Sequence, residues 1–232
     1  MQPVKRLLVI SDMHGQIDMF HALLEKIKYQ AEDDLLFLLG DYVDRGQDPK
    51  AVVQQARELE SQGAIVLKGN HEDMMEKALL GRTPESLAHW AANGGGETLK
   101  SYGLDLKKVY KKLIKGDDLD LPQALTDDLA WIQQLNFYAQ TEHYLFVHAG
   151  INPDSAIEEQ DEQDLLWIRD PFFEQYHGEK TVVFGHTPTM YFHQSYAVYF
   201  GENNIIGIDG GAVFGGQLNC LELPSKTTFF VR

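Results

Sequence analysis

The chain has 232 residues, 44% of them apolar and 11% aromatic, which supports a full hydrophobic core and excludes both intrinsic disorder and a disulfide- or metal-stapled miniprotein. Lys plus Arg is 20 against 35 Asp plus Glu, a formal charge of −15, and that balance excludes nonspecific nucleic-acid binding, which depends on cations that neutralise phosphates. The single cysteine, Cys220, permits no internal disulfide and points to a reducing compartment.

The N-terminal stretch MQPVKRLLVISDMHG meets Ser11 and Asp12 after four apolar residues, too few for a signal-peptide core, and no later apolar run approaches a membrane span. A soluble, cytoplasmic protein without nucleic-acid or membrane partners is expected, built as one domain over residues 1–232. RLLVI (6–10), LLFLL (35–39) and AIVLK (64–68) are short β-prone runs, each followed at once by polar residues and glycine. Helical patterns lie between them at about 16–29 and 49–62. This βαβαβ order implies a mainly parallel sheet with right-handed crossovers.

Residues 73–140 read mostly as helix, interrupted by Gly81, Pro84 and NGGG (93–96), with a last helix that starts at Thr126–Asp127 and ends near Asn136. Strand signals return in YLFVHAGI (144–151), TVVFGHT (181–187), NIIGIDGG (204–211), QLNCLEL (217–223) and KTTFFVR (226–232). The expected fold class is a layered α/β architecture of central mixed β-sheets flanked by helices, with a helical insertion between its two halves.

Five apolar runs end in metal-competent side chains. Asp12 and His14 follow the first, Asp41 and Asp44 with Arg45 the second, and Asn70, His71 and Glu72 the third; His148 and His186 follow two later runs. One histidine or one Gly-Asp turn after a strand is ordinary capping or turn chemistry. Five consecutive strand ends are not, because ligands of open α/β sheets bind in the crevice beyond the carboxyl ends of strands. Carboxylates, an amide oxygen and imidazoles without a thiolate suit manganese, iron or zinc. Three imidazoles argue against a pure magnesium or calcium site. Six ligands exceed one tetrahedral zinc site but serve two ions that share a carboxylate, the arrangement that clamps both oxygens of an in-line displacement.

DMHG, GDYVDRG, GNHE, HAG and GHT, in that order, resemble the signature blocks of the phosphoprotein phosphatase family of calcineurin-like metallophosphoesterases, and IDGGAVFGGQLNCLEL (208–223) resembles its closing strands. HWAANGGGETL (89–99) and LLWIRD (165–170) are most similar to the bacterial and phage branch. The resemblance implies that Asp12 and His14 hold one metal, that Asp41 bridges, and that Asn70, His148 and His186 hold the second. It implies His71 as the general acid, oriented by Asp44, with Arg45 and Arg169 on the phosphate oxygens. The expected cofactors are two divalent ions, manganese first and iron or zinc as alternatives. The implied activity is that of a serine/threonine protein phosphatase, working by in-line attack of a metal-bridging hydroxide on a phosphoprotein or phosphopeptide, with tolerance for small phosphorylated molecules. The alternative is a dinucleoside tetraphosphatase using the same centre; symmetrical tetraphosphatases usually carry alanine where this chain has Asp44, which tilts the expectation toward protein substrates.

Two positions depart from the family pattern, Ser11 where glycine is frequent and Gly210 where threonine is common, and only local packing is expected to change there. GGAVFGG (210–216) is expected to form a tight turn, Cys220 a small buried residue, and the acidic run from Glu158 to Asp164 a solvated face. Trp90 and Asn93 are expected either to edge the substrate groove or to form core with a polar cap. His21, His89, His143, His177 and His193 are expected to be ordinary histidines.

Overall fold

The computed structural model describes residues 6–232; Met1–Lys5, where the N-terminal reading begins, lie outside the described residues. In chain order the elements are β1 (Arg6–Ile10), α1 (Ile17–Lys26), β2 (Asp34–Leu38), α2 (Pro49–Ser61), β3 (Ile65–Val66), α3 (Asn70–Gly81), α4 (Pro84–Ala92), α5 (Gly95–Ser101), α6 (Leu106–Lys115) and α7 (Gln123–Ile132). They continue with β4 (Tyr138–Gln140), β5 (Tyr144–Val147), α8 (Glu162–Trp167), α9 (Asp170–Gln175), β6 (Thr181–Phe184), β7 (Tyr199–Phe200), β8 (Ile205–Gly207), β9 (Leu218–Leu223) and β10 (Thr227–Val231).

The strands form two five-stranded sheets, ordered β10-β9-β1-β2-β3 and β4-β5-β6-β8-β7. The βαβαβ start pairs β1, β2 and β3 in parallel, as the sequence implies. β9 then returns antiparallel on β1, and β10 on β9. In the second sheet β5, β6 and β8 are parallel, with β4 and β7 antiparallel at the edges.

Alternation along the strands builds the layers, since successive side chains point to opposite faces. Leu8, Ile10, Leu36 and Leu38 face α1 and α2, packing with Phe20, Leu23, Val52 and Val53. Their neighbours Val9, Phe37 and Leu39 face the other sheet and meet Phe146, Val183 and Ile206, with the Phe37 and Phe146 rings stacked at 3.9 Å. The far side of the second sheet, from Leu145, Val147, Val182 and Phe184, is covered by Leu165 of α8 and Phe172 of α9. The result is helix, sheet, sheet, helix, with α3–α7 as the insertion between β3 and β4. The insertion is tied to α2 through Asp128, which accepts from Arg57 and from the Tyr102 hydroxyl.

Three sequence expectations shift. α7 begins at Gln123 rather than Thr126, because Pro122, already extended at φ −57° and ψ 145°, presents its carbonyl to the amides of Leu125 and Thr126; the helix also closes at Ile132, short of Asn136. β3 keeps only Ile65 and Val66 of the 64–68 run, since Leu67 and Lys68 turn toward Asn136, whose carbonyl accepts from the Lys68 amide at 2.9 Å. Asn70, His71 and Glu72 are the first turn of α3 rather than a strand end. Cys220 is fully buried in β9, where burial pushes its thiol up to about 12. Among the described residues no helix is long and apolar enough to cross a membrane.

Candidate dinuclear metal centre

The loops after β1, β2 and β3 meet because glycine lets two of them touch. Gly40 has φ +98°, and a side chain there would strike the backbone of Gly69. That contact sets Asp41 beside the start of α3. Glu72 then locks the junction. Its Oε2 accepts from the amides of Asp41 (2.8 Å) and Gly69 (2.9 Å), and its Oε1 accepts from Tyr42 (2.8 Å) and Val43 (3.1 Å). Four buried backbone donors on one carboxylate make Glu72 the clamp of the site, a role its sequence position alone did not disclose. Glu72→Ala leaves those four amides unmet, and at about 1–3 kcal/mol for each unsatisfied buried group it is expected to lower unfolding free energy by several kcal/mol, measured as the denaturant midpoint at constant m-value.

The side chains converge on Asp41. Its Oδ2 lies 3.4 Å from His14 Nε2 and 4.0 Å from His71 Nε2, and its Oδ1 lies 3.4 Å from His148 Nε2. His14, Asp41 and His71 form one cluster of ligand atoms within 4.8 Å of one another, and Asp41, His148 and His186 form a second. The tautomers are determined by the backbone. His14 Nδ1 and His148 Nδ1 sit 2.8 Å from the carbonyls of Val43 and Leu39; a carbonyl only accepts, so each Nδ1 carries the proton and each Nε2 turns a lone pair to the centre.

Asn70 Oδ1 lies 2.9 Å from His148 Nε2 and 3.0 Å from His186 Nδ1. Two acceptors, the amide oxygen and His148 Nε2, thus face each other at hydrogen-bond distance, and a cation between them satisfies both. His186 Nε2 is buried without a hydrogen-bond partner. The donor set fits a pair of divalent ions.

Asp12 stands to one side of both clusters. Its carboxylate accepts from the His186 amide (3.1 and 3.0 Å) and from Ser11 Oγ at 2.5 Å. Ser11 therefore does more than alter packing, since its hydroxyl holds a site carboxylate. Gly210 has a packing reason, because a side chain there would meet the Gln217 carbonyl.

The second pair is His71 and Asp44. His71 Nδ1 lies 2.6 Å from Asp44 Oδ2 and shares a proton with it, while Trp90 Nε1 donates to both Asp44 oxygens at 2.9 Å and Thr98 Oγ1 to Oδ1 at 2.5 Å. Trp90 is thus core and site at once, and Thr98, unmarked in the sequence reading, belongs to the same network. Asn93 is elsewhere, its amide on the His89 carbonyl. Arg45 is half-buried, and its Nη1 donates at 2.7 Å to the His14 Nε2 lone pair, the position an ion bound by His14 would take over from it. Arg169 is exposed just before α9, yet its charge helps lower His148 and His186.

Burial dominates the electrostatics. It raises Asp12 and Asp41 well above the carboxylate range, and the nearby carboxylates add to this. It pushes Asp209, a buried acid close to Asp12, up to about 6 and Asp44 up to about 7, against the pull of Thr98 and Trp90. The same desolvation lowers His71 to about 2 and His148 to about 3, and carries His14 and His186 well below 6.5. For His14, His148 and His186 the neutral imidazole beside crowded carboxylates is the ligand state that dications require.

The backbone carries the strain of this convergence. Of the ten described non-glycine residues with positive φ, six belong to the site: Asp12, His14, Asp41, Asp44, Arg45 and His186, at φ between 41° and 72°. Left-handed non-glycine residues are uncommon and cluster where function over-determines the backbone.

The calcineurin-like phosphoesterase family model matches residues 5–213, and the chain belongs to that family. It is 26% identical to the asymmetrical bis(5′-nucleosyl)-tetraphosphatase PrpE of Anoxybacillus flavithermus, over 96% of this chain and 92% of that protein. It is 29% identical to serine/threonine-protein phosphatase 1 of Salmonella typhimurium, over 90% of this chain and 88% of that protein. Among solved structures it shares the fold of a putative diadenosine tetraphosphatase, with a TM-score of 0.71 at 21% identity, covering 99% of this chain and 94% of the other. The fold, two mixed sheets flanked by helices, and the phosphoester hydrolase class follow from the family.

Proposed function

We propose that the chain is a metal-dependent phosphohydrolase that releases phosphate from serine and threonine phosphoproteins. In this assignment Asp12 and His14 hold one divalent ion, Asn70, His148 and His186 hold another, and Asp41 serves both. Manganese suits this oxygen- and imidazole-rich set, with iron or zinc able to replace it. The ions supply an activated water and neutralise charge on the phosphoryl oxygens. His71, its Nδ1 paired with Asp44, carries a proton on Nε2 toward the centre and gives it to the leaving oxygen, the second proton being shared between Nδ1 and Asp44. Arg45 and Arg169 steady the phosphate through charge-assisted hydrogen bonds.

The observation that carries this reading is the His71–Asp44 contact at 2.6 Å, itself held by Trp90 and Thr98. A serine or threonine alkoxide is a poor leaving group and depends on a positioned acid. A second reading has its own support, since the relatives named asymmetrical tetraphosphatases align along nearly all of the chain. It assigns the same centre to a dinucleoside tetraphosphate, and Asp44 counts only against the symmetrical kind. Rates on a phosphothreonine peptide and on diadenosine tetraphosphate, measured with manganese-loaded protein, separate the two. The expected result is a higher kcat/KM on the peptide; a clear preference for the nucleotide replaces the first reading with the second.

A further inference from the structure

The turn between β8 and β9 carries a feature that phosphate chemistry does not use. Ala212, Val213 and Phe214 form a single helical turn, bracketed by Gly211 at φ +63° and Gly215 at φ +81°. The turn is anchored rather than loose. The Gly216 and Gln217 amides donate to the Gly211 and Gly210 carbonyls, the Gly211 amide donates to Asp209, and Asn219 ties the base to Tyr196 and Ile208. Held at its tip, Phe214 is 62% exposed, more than any other large apolar side chain described. One face of its ring lies over the Arg45 guanidinium, at 5.2 Å from Cζ to the ring centre.

Arg45 reaches from that ring to the metal cluster, its Nη1 on His14 Nε2 at 2.7 Å. The ring centre therefore lies within about 10 Å of a candidate metal ligand, the covalent C–N link adding little more than 1 Å. Arg45 is itself fixed from the other side, since its amide donates to Gly94 and a side chain at position 94 would strike it. A phenylalanine needed only to pack against Arg45 has no reason to keep most of its surface in water. A fixed aromatic face next to a phosphate-binding guanidinium matches a ligand with a flat ring one sugar away from its phosphate.

We infer that Phe214 is a stacking platform for a nucleobase, forming with Arg45 a nucleoside-phosphate subsite at the edge of the metal centre. This rests on the metal–phosphate centre proposed above and stands whichever of the two substrates that centre cleaves faster. Base–aromatic stacking is worth enough to change affinity by roughly 5- to 100-fold.

Calorimetric titration of the manganese-loaded protein with AMP and with ribose 5-phosphate, which lacks the base, tests the subsite directly. The expected result is that AMP binds the wild type roughly 5- to 100-fold more tightly. Phe214→Ala is expected to bring AMP down to the ribose 5-phosphate level, and Phe214→Trp to restore the difference. Equal affinities in the wild type, equal weakening of both ligands in Phe214→Ala, or no measurable AMP binding overturns the subsite. Turnover of diadenosine tetraphosphate by the wild type is scored separately. If AMP shows the base-dependent affinity while the dinucleotide is not cleaved, the dinucleotide reading fails and the subsite stands.

Discussion

Asp41→Asn is expected to empty both halves of the centre at once. Asp41 is the one side chain in both ligand clusters, with Oδ2 toward His14 and Oδ1 toward His148. The amide keeps the volume but removes a charge and replaces one oxygen with a donor that repels a cation. Loss of an outer partner of a metal ligand costs about 10- to 100-fold in metal affinity or activity, so loss of a shared ligand is expected to exceed about 100-fold in kcat/KM. Metal content after dialysis, read by elemental analysis, should fall from two ions per chain to fewer than one. His148→Asn, by contrast, touches only the second cluster and should leave one ion in place. Retention of two tightly held ions in Asp41→Asn would show that Asp41 does not join the clusters.

His71→Asn separates the acid from the ligands. His71 spends Nδ1 on Asp44 and keeps Nε2 4.0 Å from Asp41. Its replacement is expected to preserve metal content while lowering turnover according to leaving group. General acid catalysis contributes about 10²–10⁴-fold, and nearly all of it should be lost on a phosphothreonine peptide. On p-nitrophenyl phosphate, whose phenolate leaves without a proton, the loss should be far smaller. An equal loss on both substrates together with a lost ion would move His71 from acid to ligand, as its place in the first cluster allows.

Much of the architecture was legible because strand, helix and turn signals agreed. Short apolar runs ended at glycine or a polar residue, helical periodicity filled the gaps, and the order βαβαβ left few topologies open. The meeting of the candidate site residues was legible for the same reason: a buried strand that ends in Asp or His places that side chain in the crevice, and the clusters around Asp41 bring together four such ends and the first turn of α3. What stayed hidden depends on contacts across long sequence separations. Trp90 reaches Asp44 from 46 residues away, and Thr98 from 54. Neither residue type announces a role in orienting a carboxylate.

Glu72 was visible as a charge but not as a clamp, since its four partners are backbone amides that no residue pattern reveals. The left-handed backbone at Asp12, Asp41 and His186 contradicts local preference outright, as expected where convergence of loops outweighs the conformational cost of single residues. The start of α7 was misplaced because Thr126–Asp127 resembles a cap, whereas Pro122 opens the helix and leaves the Thr126 hydroxyl on the Gln123 carbonyl.

The central claim is that two ions on this cluster carry the chemistry, and a metal titration tests it most directly. Protein stripped with a chelator and dialysed is titrated with manganese while p-nitrophenyl phosphate turnover is followed. Turnover should rise from near zero and reach its plateau at two equivalents, with Asp41→Asn showing no such plateau. Turnover that persists undiminished in the stripped protein, or a plateau at one equivalent, would contradict a two-ion centre.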